Sequence, residues 1–466
     1  IGYPADDVMK VLILNPPTKN LRFSRDGRCQ SEENAWLDVF PPTTLASIAG
    51  SVREKYDTKV IDCMGANISY KDCIEQIRMF NPDFSIINTS TPTIINDMDV
   101  AKNIKKETNT KIIVYGEHIT AGYKRILKDF PQVDYTILGE PETPIMSILS
   151  GKSNVNGVAT RKFEGKIWQE PNLDDLPFPA YDLLPRYEYP LTGEKWMFIR
   201  SGRGCPYNCT YCIMPLMSNR NARYHSVNYM IKQIEWLIYD LDIRVYMFWD
   251  ELATLDKKRM LDFCNKMVDK GLYKECKWFC TTRVDFFDEE LSENMKKAGC
   301  KMITFGIESG SQKVLDKNNK GTTIEQITKA VRAAKKFGIK TIGHFIIGLP
   351  GSDPKTEKET IKLAKKLKLN FVQFYIATPF PGSEFYNDAI KNKWLVDPNW
   401  DHIEQGTAVI SYPNFSARDI KKWKDRAYRS FYLRPYAVYS LMSSISAKKL
   451  ISLPRYIKSF FGWMKK

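Results

Sequence analysis

Two runs of short apolar segments alternating with helical spacing, parted by a proline-rich stretch, constrain this chain more than any other feature. In the first run, residues 11–14, 59–62, 84–87, 111–115 and 135–138 read as buried strands. Helical spacing over 43–56, 70–80, 95–108 and 121–129 fills the gaps. Such alternation implies an α/β domain over residues 9–150, a doubly wound parallel sheet covered on both faces. Ligands of these sheets sit beyond the C-terminal strand ends. Here those ends carry Asn15, Asn88-Thr-Ser-Thr91, Gly116-Glu-His118 and Gly139, small and polar groups suited to a large ligand close to backbone. Any one of them is ordinary turn chemistry; the set points to a ligand.

Residues 151–195 are rich in Pro and acidic side chains and read as a linker. The second run follows, with strands at 196–199, 245–248, 277–280, 302–305, 341–347 and 371–375. Six repeats over 196–414 favour a partial (β/α)6 barrel over an open sheet, and residues 415–466 read as a helical basic segment. Met9 opens a stretch that reads like a natural beginning, so residues 1–8 are expected to be an added segment foreign to the natural chain.

Composition excludes several classes. A chain of 466 residues with 43% hydrophobic and 26% charged residues is neither disordered nor a single small domain. No apolar run approaches the ~18 residues of a membrane span. Ten Cys without a visible signal peptide do not make a disulfide scaffold. The net charge of +15 is uneven: 448–466 holds six basic residues and no acidic one, interleaved with Phe460, Phe461 and Trp463. That pattern fits either an interfacial helix on anionic lipid or a packed helix with a basic outer face. No RNA-binding module is recognisable, so no nucleic acid partner is expected.

The chemistry lies in Gly202-Arg-Gly-Cys205-Pro-Tyr-Asn-Cys209-Thr-Tyr-Cys212, directly after the first strand of the second run. Three thiolates on one loop are soft ligands that suit an iron–sulfur cluster with one iron left open. Zinc would want a fourth ligand, for which His225 is the candidate. The spacing, with Tyr211 before the last Cys, resembles the radical S-adenosylmethionine superfamily. The resemblance implies that Cys205, Cys209 and Cys212 hold a 4Fe-4S cluster whose open iron chelates S-adenosylmethionine. It further implies that Tyr211, Asp250, Glu251, Arg283, Glu308, Ser309 and Gly348, at successive strand ends, bind that cofactor.

The first domain is similar to the Rossmann-like cobalamin-binding domain that precedes the barrel in many of these enzymes. The likeness rests on Asn15-Pro-Pro17, Asn81-Pro-Asp83, Thr89-Ser-Thr91-Pro92, Gly116-Glu-His118-Ile-Thr120 and Gly139-Glu140. It implies cobalamin contacts from Asn15, Pro16, Thr89, Ser90, Thr91, Gly116, Glu117, His118, Thr120, Gly139 and Glu140. One departure stands out. The D-x-H-x-x-G loop that supplies a cobalt ligand reads Asp62-Cys-Met-Gly65 here, without His. Cobalamin is therefore expected to bind without a histidine from that loop, and a domain that has lost the cofactor is the alternative.

The late segments 373–384, 409–413 and 428–435 resemble the subgroup containing anaerobic magnesium-protoporphyrin cyclase and hopanoid-processing enzymes. The family's chemistry then implies a 5′-deoxyadenosyl radical that takes hydrogen from an unactivated carbon, followed by methylation from methylcobalamin. Cyclisation, ring contraction or another rearrangement of a lipid or tetrapyrrole is the second reading; a non-enzymatic cobalamin or redox sensor is the third. The expected partners are a flavodoxin- or ferredoxin-type reductant and an amphiphilic or lipid small molecule. The expected location is the cytoplasm, with peripheral contact at the inner membrane surface through 448–466.

Overall fold

The computed structural model describes residues 8–19, 21–26, 30–31 and 39–445. In the first domain, strands β1 (Lys10–Asn15), β2 (Asp57–Asp62), β3 (Phe84–Asn88), β4 (Lys111–Tyr115) and β5 (Tyr135–Ile137) are all parallel. A short β6 (Val158–Ala159) is antiparallel, giving the order β2-β1-β3-β4-β5-β6. Both faces of β1 are buried, Leu12 and Leu14 in one apolar layer and Val11 and Ile13 in the other. That is why the strand reads as a continuous apolar run. The order reverses between β1 and β3, so a crevice opens at their C-terminal ends.

Two features differ from the sequence reading. The helix after β4 spans Glu117–Asp129, starting four residues before the expected Ala121. Its N-cap is Gly116 at φ +137, without a side-chain cap, so the usual start signal is missing. The stretch 151–195 is not a bare linker. It supplies β6, and Trp168 pairs by backbone hydrogen bonds with Leu138 (2.9 Å) and Glu140 (3.0 Å). A two-residue strand is too short to show periodicity. Further on, Ala180 N–H donates to Ala46 O at 2.8 Å, docking the stretch on helix Thr43–Val52.

The second domain holds β7 (Trp196–Ile199), β8 (Val245–Phe248), β9 (Lys277–Thr282), β10 (Cys300–Glu308), β11 (Lys340–Ile347) and β12 (Phe371–Ile376). All are parallel and paired in sequence order, with β7 and β12 at open edges. This is the expected six-stranded partial barrel. Helix Ala417–Tyr432 covers the β12 edge: Tyr428 Oη accepts from Phe374 N–H (3.0 Å), and Tyr432 Oη donates to Val372 O (2.8 Å). Edge backbone groups are thus satisfied. Helix Pro435–Met442 follows. The tail reading, on 448–466, lies outside the described residues. Among the described residues no helix is long and apolar enough to cross a membrane.

Candidate active site

The C-terminal ends of β3, β4 and β5 face the loop leaving β7 across a cleft. Thr89, Tyr115, Gly116, Glu117, Gly139 and Glu140 line it from the first domain; Arg200, Gly204, Met214, Ser218 and Glu251 line it from the second. The two glycines are required. Gly116 has φ +137 and a Cβ there would lie 2.3 Å from Thr89 O. At Gly139, φ +92, it would lie 2.2 Å from Trp168 O.

Asn15, Pro16, Ser90, Thr91, His118 and Thr120 do not line this cleft. Asn15 is buried and donates to Asp62 Oδ1 (2.8 Å) while accepting from Arg25 Nη1 (2.8 Å). Arg25 in turn pairs with buried Asp97 at 2.6 Å. Pro16 is buried as well. Ser90 bonds Thr93 (2.9 Å), and Thr120 Oγ1 accepts from Gly139 N–H (3.0 Å), tying two strand-end loops together. His118 shares a hydrogen bond with Thr91 Oγ1 (3.2 Å) and packs edge-on against Trp400 with ring centroids 4.6 Å apart. Burial, with Arg125 nearby, lowers its pKa to about 4. In the loop where a ligating His would lie, Asp62 accepts from Tyr187 Oη, Gly65 N–H and Asn15. That site is filled by protein.

Sequence reasoning missed the link between the domains. Arg203, two residues before Cys205, forms a two-point pair with buried Glu142 (Nη2–Oε1 2.7 Å, Nη1–Oε2 3.0 Å). Arg223, on the strand that pairs with 202–203, bonds Glu140 in the same two-point manner and donates to Glu170 O at 2.5 Å. Burial would raise Glu142, but the Arg203 guanidinium more than offsets it and holds the carboxyl at about 2. The only sequence signal was the charge complement of Gly139-Glu-Pro-Glu142 and Gly202-Arg-Gly204.

The cluster loop is pinned at both ends. Gly204 N–H donates to Glu251 Oε2 (3.1 Å), and Cys205 N–H to Ser218 Oγ (3.3 Å). Thr210 bonds Asn318 through backbone (3.2 Å) and side chain (3.0 Å), and Asn318 reaches Pro350 O (2.9 Å). Tyr211 packs against the apolar cluster that includes Val314, Leu349 and Phe385. The three Cys are half-buried free thiols. His225 is turned away, bonded to Asp174 (3.1 Å) and stacked on Tyr229, so the zinc reading loses its fourth ligand.

The other expected residues follow the strand ends. Asp250 is buried and accepts from Ser201 N–H (2.7 Å) and Ser201 Oγ, so it braces the loop; burial raises its pKa to about 6. Arg283 pairs with Asp285 (3.0 Å), donates to Lys320 O (2.7 Å) and lies 3.7 Å over the Tyr207 ring. Glu308 ends β10 at φ +64, a costly conformation for a non-glycine residue. It pairs with Lys320 at 2.8 Å, a buried partner the motif reading did not name. Gly306 leaves the space, since a Cβ there would lie 2.8 Å from Glu308 Oε1. Ser309 bonds Thr360 (3.2 Å), and Gly348, φ +85, donates to Glu357 (2.9 Å).

These residues fit the cofactors the sequence implies. A loop bearing three sulfur donors suits an iron–sulfur cluster, and Tyr211 Oη is buried beside it without a hydrogen-bond partner among the described residues. Tyr115 Oη, likewise buried and unpartnered, lines the cleft, as does Glu117, which burial and the nearby Asp26 push up to about 8. A phenol and a protonated carboxyl suit the carboxamide rim of a corrin.

Residues 199–390 match the radical SAM superfamily, and 37–149 match the B12 binding domain. An uncharacterised methyltransferase of Pyrococcus horikoshii is 34% identical over 440 residues, covering 92% of this chain and 93% of its own. The anaerobic magnesium-protoporphyrin IX monomethyl ester cyclase of Rubrivivax gelatinosus is 29% identical over 371 residues, 75% of this chain and 66% of the cyclase. The radical S-adenosylmethionine methyltransferase TsrM of Kitasatospora setae, solved with cobalamin and a 4Fe-4S cluster, shares the fold. Its TM-score is 0.69 at 14% identity, over 95% of this chain and 90% of that one. Sequence similarity, paired domains and cysteine loop together place the chain in the cobalamin-dependent branch of the radical S-adenosylmethionine superfamily, whose barrel follows a B12-binding domain.

Proposed function

We propose that the protein methylates an unactivated carbon of a small amphiphilic molecule. The observation that carries this reading is the shared cleft, in which the B12-domain strand ends and the cluster-loop residues Gly204 and Ser218 line one space. Bound there, the cluster, S-adenosylmethionine and cobalamin would supply one-electron cleavage chemistry and a transferable methyl group. Cys205, Cys209 and Cys212 would hold the cluster. Glu251, Glu308 and Lys320 would meet S-adenosylmethionine with Tyr211, Arg283, Ser309 and Gly348, while Asp250 braces the loop. Thr89, Tyr115, Gly116, Glu117, Gly139 and Glu140 would hold cobalamin. The Arg203–Glu142 pair would fix the separation of the two cofactor sites.

Cyclisation or rearrangement is the second reading, favoured by the similarity to the cyclase of Rubrivivax gelatinosus. A flavodoxin- or ferredoxin-type reductant would deliver electrons. A cytoplasmic site of action, with the basic tail touching an anionic membrane, would suit an amphiphilic substrate. The test is anaerobic incubation of the reconstituted protein with methyl-deuterated S-adenosylmethionine and a lipid-rich extract, read by mass spectrometry. A product carrying the heavy methyl supports methylation. A new product without label, formed only when S-adenosylmethionine is present, supports rearrangement instead.

A further inference from the structure

Two neighbouring helices of the barrel present a face of unpaired cations. Apart from Pro354, every exposed side chain of helix Pro354–Lys366 is a lysine: Lys355, Lys358, Lys362, Lys365 and Lys366. The exposed side chains of helix Ala417–Tyr432, packed beside it, are Arg418, Lys421, Lys422, Arg426 and Arg429. The acids of the two helices are less exposed: Glu357 is buried, and Glu359, Asp419 and Asp425 are half-buried. None of the ten cations forms an ion pair among the described residues. Other barrel helices differ: Lys257 pairs with Asp288, Lys270 with Glu235, Lys297 with Glu293 and Lys336 with Glu289. Like charges on adjoining helices repel one another, so the face gains from an anionic partner.

One edge of this face is tied to the cysteine loop. The first helix starts at the C-terminal strand ends, where Glu357 accepts from Gly348 N–H (2.9 Å) and Thr360 Oγ1 from Gly310 N–H (2.9 Å). Exposed Lys317 lies against the turn leading into it: a Cβ on Gly351 would come 3.2 Å from Lys317 Cγ. The next residue, Asn318, accepts from Thr210 Oγ1 (3.0 Å), between the last two cysteines of the loop, and donates to Pro350 O (2.9 Å). A partner seated at this edge is thus joined to the cysteine loop through Asn318 and Pro350.

We infer that this face docks the acidic one-electron carrier protein that reduces the cluster. An anionic membrane would also meet the cations, but the edge joined to the cysteine loop favours an electron donor over a lipid surface. The inference rests on the proposed function for the need of an electron, and it assigns the donor's seat. The transfer oxidises the carrier by one electron and reduces the cluster by one, with no bond made or broken. Opposite charges across such a contact speed encounter and fix orientation, and salt screens them.

The test is calorimetric titration of the anaerobically reconstituted full chain with an acidic flavodoxin and an acidic ferredoxin, at low and high salt. One saturable site for at least one carrier is expected, weakened by salt. Each helix has its own variant, Lys355→Glu/Lys358→Glu/Lys362→Glu and Arg418→Glu/Lys421→Glu/Lys422→Glu. Lys71→Glu/Lys102→Glu/Lys106→Glu makes the same charge change on exposed lysines of the first domain. Whichever face variant keeps the wild-type melting temperature is expected to bind the carrier at least about tenfold more weakly, and the first-domain variant to stay within about twofold of wild type. S-adenosylmethionine cleavage driven by the carrier should fall with affinity, whereas cleavage driven by dithionite, which needs no docking, should hold. No saturable binding, wild-type affinity in a folded face variant, or an equal loss in the first-domain variant would overturn the inference. Face variants that release anionic vesicles while keeping the carrier would give the face to a membrane instead. Each of those results, with dithionite-driven cleavage intact in the wild type, leaves the proposed reaction standing. Carrier binding that follows the face, without cleavage by either reductant, would do the reverse.

Discussion

His118 lies beneath the edge of Trp400, only 2% exposed, and its low pKa keeps it neutral near pH 7. It is absent from the cleft lining, so protein loaded with Co(II) cobalamin is expected to show no nitrogen splitting from an imidazole by electron paramagnetic resonance. A splitting that disappears in His118→Ala would contradict this placement. Glu357 is the second case. It is 1% exposed and accepts from Gly348 N–H, and burial raises its pKa from the ordinary 4.5 to about 7. The folded state therefore holds the proton more tightly than the unfolded chain, and stability falls as pH rises through that window. Glu357→Gln keeps an acceptor for Gly348 but cannot ionise. Denaturant unfolding is expected to lose less stability from about pH 5 to about pH 8 in the variant, by on the order of 2 kcal/mol. An unchanged pH dependence would refute it. The sequence showed which loops carry polar residues but not which way each residue turns. Asn15 is claimed by Arg25, ten residues on in an irregular stretch, and His118 by Trp400 from a distant loop, neither of which carries a periodic signal.

Among the elements, the two parallel sheets were legible because strands buried on both faces must be apolar throughout. The cysteine loop was legible because its spacing is itself the chemistry. Short β6 and the docking of 151–195 were not, and neither was the Arg203–Glu142 pair, which joins residues 61 apart in sequence. Removing Glu142 leaves buried Arg203 with only the looser Glu140 contact at 3.5 Å, at a cost of about 3 kcal/mol. Glu142→Gln is therefore expected to destabilise the protein strongly in denaturant unfolding, and Glu142→Gln/Arg203→Met by clearly less than the sum of the single changes. Additive losses would show that the pair is not coupled. The depressed Glu142 carboxyl contributes fully above its ordinary pKa of 4.5, and its contribution is lost as pH falls toward about 2.

At the scale of the whole molecule, the last described helix exposes Val438 (49%), Tyr439 (72%) and Met442 (44%), and the turn before it Leu433 (62%), shortly before the basic, aromatic tail. Basic residues gain about 1 kcal/mol each near an anionic leaflet, and apolar burial adds roughly 25 cal/mol per Å². Vesicle sedimentation is expected to show binding to anionic but not neutral lipid, weakened by salt and lost on truncation after Ala447. Equal binding by both chains would make the tail a packing element. Assembly of the cluster by one loop, at the mouth of the barrel, is the expectation on which the proposed chemistry depends. Its most direct measurement is iron content and 5′-deoxyadenosine formation after anaerobic reconstitution with S-adenosylmethionine and reductant. About four irons per chain and adenosylmethionine cleavage are expected. Both should be lost when Cys205, Cys209 and Cys212 become Ala and kept when Cys264, Cys276, Cys280 or Cys300 is replaced. A triple variant that still holds about four irons would show that other side chains hold the cluster.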